Sequence, residues 1–238
     1  MNISLIGYGK MGKTIEKIAL ERGHSVVCKI DIDNQNAFES ENFRASDVAI
    51  EFTSPATAVA NIRKAFEAGV PVVSGTTGWT DKLAEIKKQV ETEGYSLLWS
   101  SNFSLGMNVF FALNNYLAKI MNKFPSYNVL MEEVHHIHKL DAPSGTAITL
   151  AEDIIANVER KKAWVKGDQK SAEEIAIYSI REGEVPGTHS IMYESDFDSI
   201  IMTHEAKNRD GLALGAVLAA EFLAGKKGFY TMKDVLKF

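Results

Sequence analysis

With Cys28 as its only cysteine, the chain can close no internal disulfide and cannot build a zinc site from several thiolates. A reducing, cytoplasmic setting is therefore expected. Positive charge is also short: 26 Lys and Arg against 31 Asp and Glu leave a net charge of −5. Such a surface lacks the basic face that a nucleic acid or an anionic membrane requires of a general partner. No apolar run reaches the about 18 residues needed to span a bilayer, and the opening MNISLIGYGKMG lacks the layout of a signal peptide. Repeats and low-complexity tracts are absent. What is present is 45% hydrophobic and 24% charged residue content over 238 residues. That suffices for a soluble globular protein of one or two domains.

Short apolar runs alternate with helical periodicity from the N-terminus. ISLIG reads as a strand, after which Met11, Ile15, Ile18 and Ala19 recur at helical spacing up to Gly23. HSVVCKID and VAIEF are further strands, Ser54-Pro55 opens a helix ending near Gly69, VPVVSG is a strand, a helix runs from Thr80 to Glu93, and YSLLWS is a strand. This alternation predicts an α/β fold, a Rossmann-like doubly wound parallel sheet. Beyond Asn102 the pattern predicts a helix from Gly106 to Lys123, a strand in YNVLMEEVHH, a helix from Ser144 to Val158, and a polar loop, ERKKAWVKGDQKSAEE. Three strands follow, IAIYSIR, THSIMYE and SIIMTHEA, so the second domain is expected to be α+β with a mixed, largely antiparallel sheet. Ile175, Ile177, Ile200 and Ile201 are expected at exposed edges that a monomer would struggle to cover. The apolar helix in GLALGAVLAAEFLAG should pack back on the first domain, and YTMKDVL closes the chain.

Gly7-Tyr8-Gly9-Lys10-Met11-Gly12 fits a dinucleotide fingerprint between the first strand and the first helix. Gly7 permits the tight turn, Gly9 lets amides approach a pyrophosphate, and Gly12 lets the helix pack closely. Asp31, at the end of the second strand, supplies the acid that accepts from an adenosine ribose. Two further segments follow strand ends, the edge where ligands bind in such sheets: Gly75, Thr76 and Thr77, offering amides and hydroxyls, and Ser100, Ser101, Asn102 and Phe103. An ordinary glycine and threonine turn is the bland alternative for the first of these.

EEVHHIHKLDAPSGTA, residues 132–147, gathers histidines, acids and a lysine beside a Pro-Ser-Gly-Thr turn. As a metal site it is poor. Alternation along a strand would put His136 and His138 on one face and His135 on the other, and no HExxH spacing occurs; a third ligand would have to come from Glu132, Asp141, His189 or His204. No resident metal is expected. As an acid/base and anion site it is better suited: His135 can hold a proton near neutrality and Lys139 is a fixed cation. The amides opening the next helix, with the hydroxyls of Ser144 and Thr146, make a carboxylate cradle.

Together EEVHHIHKLDAPSGTA, GYGKMG, SGTTGW and SSNFSLGMN resemble the 4-hydroxy-tetrahydrodipicolinate reductase family, also called dihydrodipicolinate reductases, over essentially the full chain. The resemblance implies a dinucleotide-binding domain of residues 1–104 and 210–238, with 105–209 inserted for substrate binding and assembly into a homotetramer. It implies His135 as catalytic acid, Lys139 as second proton donor, and His136 with Gly145 and Thr146 as ligands of a small-molecule dicarboxylate. NADH or NADPH would sit on Gly7 to Gly12, Asp31, Gly75 to Thr77 and Ser100 to Phe103. Arg209 matches a family arginine. Lys10 and Ile137 stand where the family commonly has arginine, and Lys10 offers a 2′-phosphate a point charge instead of a fork.

The expected reaction is hydride delivery to C4 of a cyclic imine dicarboxylate, loss of the 4-hydroxyl as water, and protonation of the adjacent carbon. Another NAD(P)-dependent amino-acid or semialdehyde dehydrogenase would explain the first domain equally well, but not the His-His-x-x-Lys and Pro-Ser-Gly-Thr combination. A dinucleotide sensor would need neither, and a metal-dependent hydrolase would need more ligands.

Overall fold

The computed structural model describes residues 1–237. In chain order the elements are β1 (Asn2–Ile6), α1 (Lys10–Glu21), β2 (Ser25–Ile30), α2 (Glu41–Arg44), β3 (Val48–Glu51), α3 (Pro55–Glu67), β4 (Val72–Ser74), α4 (Leu83–Glu93) and β5 (Ser96–Trp99). There follow α5 (Leu105–Met121), β6 (Asn128–His135), α6 (Gly145–Asn157), β7 (Ala163–Lys166), β8 (Glu174–Arg181), β9 (Thr188–Glu194) and β10 (Ser199–Glu205). The chain closes with α7 (Asp210–Leu223), β11 (Gly228–Tyr230) and α8 (Met232–Leu236). Two compact units result, one of Met1–Leu105 with the chain from Arg209 onward, the other of Gly106–Asn208.

The first unit is a parallel sheet in the order β11-β5-β4-β3-β1-β2. Its strands are apolar on both sides because both sides are covered. Val48 and Ile50 of β3 join a core with Ile15 and Ala19 of α1 and Ala213, Ala216, Val217 and Ala220 of α7. Ala49, between them, points the other way, to Ile62, Ala65 and Phe66 of α3 and Ile86 and Val90 of α4. The apolar helix from the C-terminal segment thus packs on α1 as expected. Sequence periodicity did not reveal β11, whose three residues pair with β5 and extend the sheet.

The second unit holds a sheet in the order β10-β9-β6-β8-β7, in which β6 and β9 and then β9 and β10 are antiparallel while β6 and β8 and then β7 and β8 are parallel. One face is covered by α5 and α6, through Phe110, Met121, Leu150 and Ile154 against Val129, Met131, Ile191 and Tyr193. β7 lies inside the stretch expected to be loop: its Ala-Trp-Val-Lys is too short and polar to signal a strand, and parallel pairing with β8 decides its form. Ile175 and Ile177, expected at an exposed edge, are fully buried in this core, whereas Ile200 and Ile201, with Tyr178 and Ile180, are exposed. Period-two alternation alone does not say which face a helix will cover. Among the described residues no helix is long and apolar enough to cross a membrane.

Candidate active site

In the first unit the glycine fingerprint joins β1 to α1. Gly7 has φ +93°, and a β-carbon on it would lie 2.0 Å from the carbonyl oxygen of Phe52. One on Gly12 would lie 2.2 Å from the carbonyl oxygen of Gly7, so only glycine lets helix and turn meet. A β-carbon on Gly9 would meet nothing within 4 Å. It opens instead onto a cleft of about 390 Å³ lined by Gly9, Lys10, Met11 and Gly12 and, from the ends of β3 and β4, by Thr53, Gly75, Thr76 and Thr77. Unobstructed space over a helix N-terminus suits a pyrophosphate, and this is the fit of the site to a dinucleotide. Lys10 makes no ion pair among the described residues. Asp31 stands beside the turn, taking hydrogen bonds from the amides of Tyr8 at 3.2 Å and Ile32 at 2.9 Å. The Tyr8 hydroxyl is held by Glu16.

The hydroxyl of Thr76 is not free for a ligand, contrary to the sequence expectation. It donates to Glu51 at 2.7 Å and accepts from the Thr53 amide at 2.8 Å. Glu51 is fully buried and also takes the Ser74 hydroxyl at 2.6 Å, so it fixes the loops after β3 and β4 relative to one another. Both Trp79 and Trp99 donate their indole N–H to the Thr76 carbonyl, at 2.7 and 3.2 Å. After β5, Ser100 accepts from the Asn102 amide at 3.2 Å and Ser101 is exposed. The Phe103 ring is buried in the core, leaving its backbone as the part a ligand could touch. Arg209 occupies the N-cap position of α7 and is exposed.

In the second unit, β6 turns one face from apolar to ionisable along its length: Val129, Met131, Glu133 and His135 alternate inward and are all buried. His135 ends the strand. His136 and His138 therefore do not continue the alternation; their rings stand 6.0 Å apart in the turn beyond, with His138 bonded to Glu184 at 3.0 Å. The Nδ1 atom of His136 is buried with no hydrogen-bond partner among the described residues. Lys139 is gripped by both carboxylate oxygens of Asp141, at 2.8 and 2.9 Å. Burial acts to raise the Asp141 pKa, but the Lys139 contact brings it below the usual carboxylate value. The sequence presents Lys139 as a free cation; here an incoming anion must share or displace Asp141.

Ser144 caps α6, its hydroxyl accepting from the Ala147 amide at 3.2 Å and lying 3.2 Å from His189 Nε2. That hydroxyl is thus engaged within the protein and is not part of a ligand cradle. The amides of Gly145 and Thr146, on exposed and half-buried residues at the first turn, have no acceptor among the described residues.

Sequence reasoning missed the centre of this arrangement. Glu133 is 0% exposed, 3.3 Å from His135 Nδ1 and 3.3 Å from Arg181 Nη2, and it takes the Ser144 amide on both oxygens at 3.0 and 3.1 Å. Burial alone would raise its pKa. The His135 contact and the Ser144 hydrogen bonds outweigh that and hold it well below the usual carboxylate range. His189, beside His135 with ring centroids 5.1 Å apart, is pushed down to about 4 by burial and then by His135, and is neutral near neutrality. Glu133, His135 and His189 offer atoms within 4.8 Å of one another, a spacing that a metal could use. The donor set argues otherwise, since Arg181 and the Ser144 amide already saturate the carboxylate with positive charge and hydrogen bonds. The signal for Glu133 was its parity with His135 on a strand whose other inward residues are apolar.

Models of two protein families match the chain: "Dihydrodipicolinate reductase, N-terminus" over residues 1–103 and "Dihydrodipicolinate reductase, C-terminus" over residues 106–236. The chain belongs to the dihydrodipicolinate reductase family. Within it, a 4-hydroxy-tetrahydrodipicolinate reductase of Christiangramia forsetii is 50% identical, covering 99% of this chain and 98% of that one. One from Archaeoglobus fulgidus is 36% identical over 96% of each. A dipicolinate-bound dihydrodipicolinate reductase from Paenisporosarcina sp. TG-14 shares the fold, with a TM-score of 0.76, 19% identity and 97% of each chain covered. The Rossmann-like first sheet and mixed second sheet are therefore those of the family.

Proposed function

We propose that this chain reduces 4-hydroxy-tetrahydrodipicolinate to tetrahydrodipicolinate, with NADH or NADPH as reductant, in lysine and diaminopimelate biosynthesis. The observation that carries the reading is the assembly, on β6, α6 and the turn joining them, of a buried histidine, a lysine and two free helix amides, in a member of this reductase family. When bound, the reduced nicotinamide cofactor supplies a hydride for C4 of the substrate ring. Gly7 to Gly12, Asp31 and Gly75 to Thr77 would hold it, with the amides at the start of α1 suiting its pyrophosphate.

The chain's own residues supply the rest. The amides of Gly145 and Thr146 bind a substrate carboxylate at the positive end of α6, and His136 with Lys139 meets the dicarboxylate's remaining charge. His135 gives its proton to the carbon next to the reduced centre, and Lys139 stands as second donor. Fixed positive charge around the dicarboxylate stabilises the electron density that arrives with reduction, and the 4-hydroxyl leaves as water. Arg209 is a further candidate for the substrate anion. A cytoplasmic homotetramer built through the second sheet accords with its exposed Tyr178, Ile180, Ile200 and Ile201.

An absorbance assay of NADH and NADPH oxidation with enzymatically generated substrate tests the reading. Substrate-dependent oxidation supports it; cofactor binding without any substrate-dependent oxidation overturns it.

A further inference from the structure

The acid at His135 has two ring nitrogens, and the structure gives them different surroundings. Nδ1 is buried and faces the Glu133 carboxylate at 3.3 Å, off the line of a good hydrogen bond, so the contact acts through charge. Nε2 faces Gly187, where a β-carbon would stand 3.0 Å from it. Glycine thus keeps clear the nitrogen that does not face the carboxylate. A proton delivered from Nε2 leaves Nδ1–H toward Glu133, so the carboxylate both selects the tautomer and stabilises the imidazolium before transfer.

The same carboxylate is tied to the other parts of the site. Its Arg181 partner, from β8, donates to the carbonyl of Lys139 at 3.3 Å and to that of Asp141 at 2.6 Å, fastening the segment that carries the lysine. Its Ser144 contacts set the start of α6, where the free amides lie. One buried side chain therefore touches the acid, the clamp on the lysine segment and the helix cap. It does so from strand β6, a rigid element.

We propose that Glu133 is the positioning residue of this site: it orients and charges His135 through Nδ1 while, through Arg181 and Ser144, fixing the lysine segment and the carboxylate cradle relative to that acid. This rests on the role of His135 given above. Among the described residues the titratable groups in contact with His135 are Glu133 from its own strand and His189 from β9, while Arg181 from β8 reaches Glu133 and the charge of Lys139 acts on His189. Among the described residues only Glu133 is anionic and in contact with the ring, so its removal should act on the acid in a defined direction.

The test is the pH profile of kcat in wild type, Glu133→Gln, Glu133→Asp and His135→Gln. If His135 must be protonated, wild-type activity falls as pH rises through an alkaline limb that His135→Gln lacks. Glu133→Gln should move that limb down by about one pH unit or more, the scale of losing an adjacent opposite charge, and lower kcat at neutral pH about tenfold or more. Part of the loss should return at lower pH, with NADH affinity unchanged. A structural defect would lower activity by the same factor at every pH. A limb that stays in place in a folded Glu133→Gln overturns the proposal. Should that variant fail to fold, Glu133→Asp decides, because it keeps the charge but withdraws it by one methylene: a smaller downward shift supports positioning, and an unmoved limb overturns it. Failure of the underlying reading looks different, since His135→Gln would then retain the wild-type profile.

Discussion

The Tyr8 amide donates to the Asp31 carboxylate across 3.2 Å, so the fingerprint turn and the end of β2 are fastened to each other before any cofactor arrives. Asp31 remains exposed at this post. In the proposed cofactor site an anion there would accept from ribose hydroxyls and repel a 2′-phosphate, and Lys10, with no ion pair among the described residues, would offset that repulsion in part. Both cofactors should therefore serve, NADH at least as well as NADPH. Asp31→Ala should shift the ratio of kcat/KM values toward NADPH. An unchanged ratio would remove Asp31 from the ribose site.

His135→Gln should lower kcat by about a hundredfold or more, the scale of a positioned general acid, with little change in substrate affinity. Lys139→Ala should raise KM and lower kcat together, because the substrate anion loses its partner. Because the fingerprint lies in the other unit, both variants should bind NADH as wild type does. Steady-state kinetics with a separate NADH titration resolves the two patterns, and parallel loss of every parameter would signal a folding defect instead.

Activity should survive prolonged EDTA treatment. The Glu133, His135 and His189 cluster has a metal-like spacing, yet its carboxylate is already paired with Arg181. Loss of turnover that zinc restores would reverse this assignment.

Acid stability has a definite sign at His189. Its ordinary pKa of 6.5 falls to about 4 in the fold, first through burial and then through the nearby His135. The unfolded chain takes up the proton first as pH falls, so the folded state's advantage is intact above 6.5 and is lost progressively toward 4. The loss amounts to about 2 kcal/mol at pH 5. Glu133, with a lowered pKa, contributes only at more acidic pH, and His204, also lowered by burial, contributes with the same sign as His189. Urea unfolding at pH 7 and pH 5 should therefore show a smaller pH penalty in His189→Gln than in wild type. Equal penalties would mean that His189 titrates normally in the fold.

Light scattering at micromolar concentration should give the mass of a tetramer. A monomeric mass would show that the exposed apolar residues of β8 and β10 are not covered by another copy of the chain.

Much of this was legible before the structure because it rests on local chemistry. Gly7 and Gly12 declare close backbone approaches, the Ser54-Pro55 pair declares a helix start, and the inward Ile15 and Ala19 of α1 follow from period alone. The missed features are those that need a partner from elsewhere in the chain. β7 and β11 exist because β8 and β5 pair with them. Ile175 and Ile177 are buried because two helices cover their face of the sheet. Thr76 lost its free hydroxyl to Glu51, a residue 25 positions away. Lys139 lost its free charge to Asp141, only two positions on, because the turn folds one side chain onto the other. Glu133 was overlooked among the six other ionisable residues of 132–147, although its parity with His135 on β6 marked it as inward.

Two of the three tryptophans, Trp79 and Trp99, hang on a single carbonyl, that of Thr76, whose neighbours Gly75 and Thr77 line the cleft beside the fingerprint turn. The third, Trp164, belongs to β7 in the other unit. Two of the chain's three indole fluorophores thus sit beside the wall of the cleft next to the fingerprint turn, and the third, Trp164, lies in the second sheet. The same hydrogen bonds that hold the turn in shape therefore tie two indoles to the cleft wall, where a change in that wall would reach their emission.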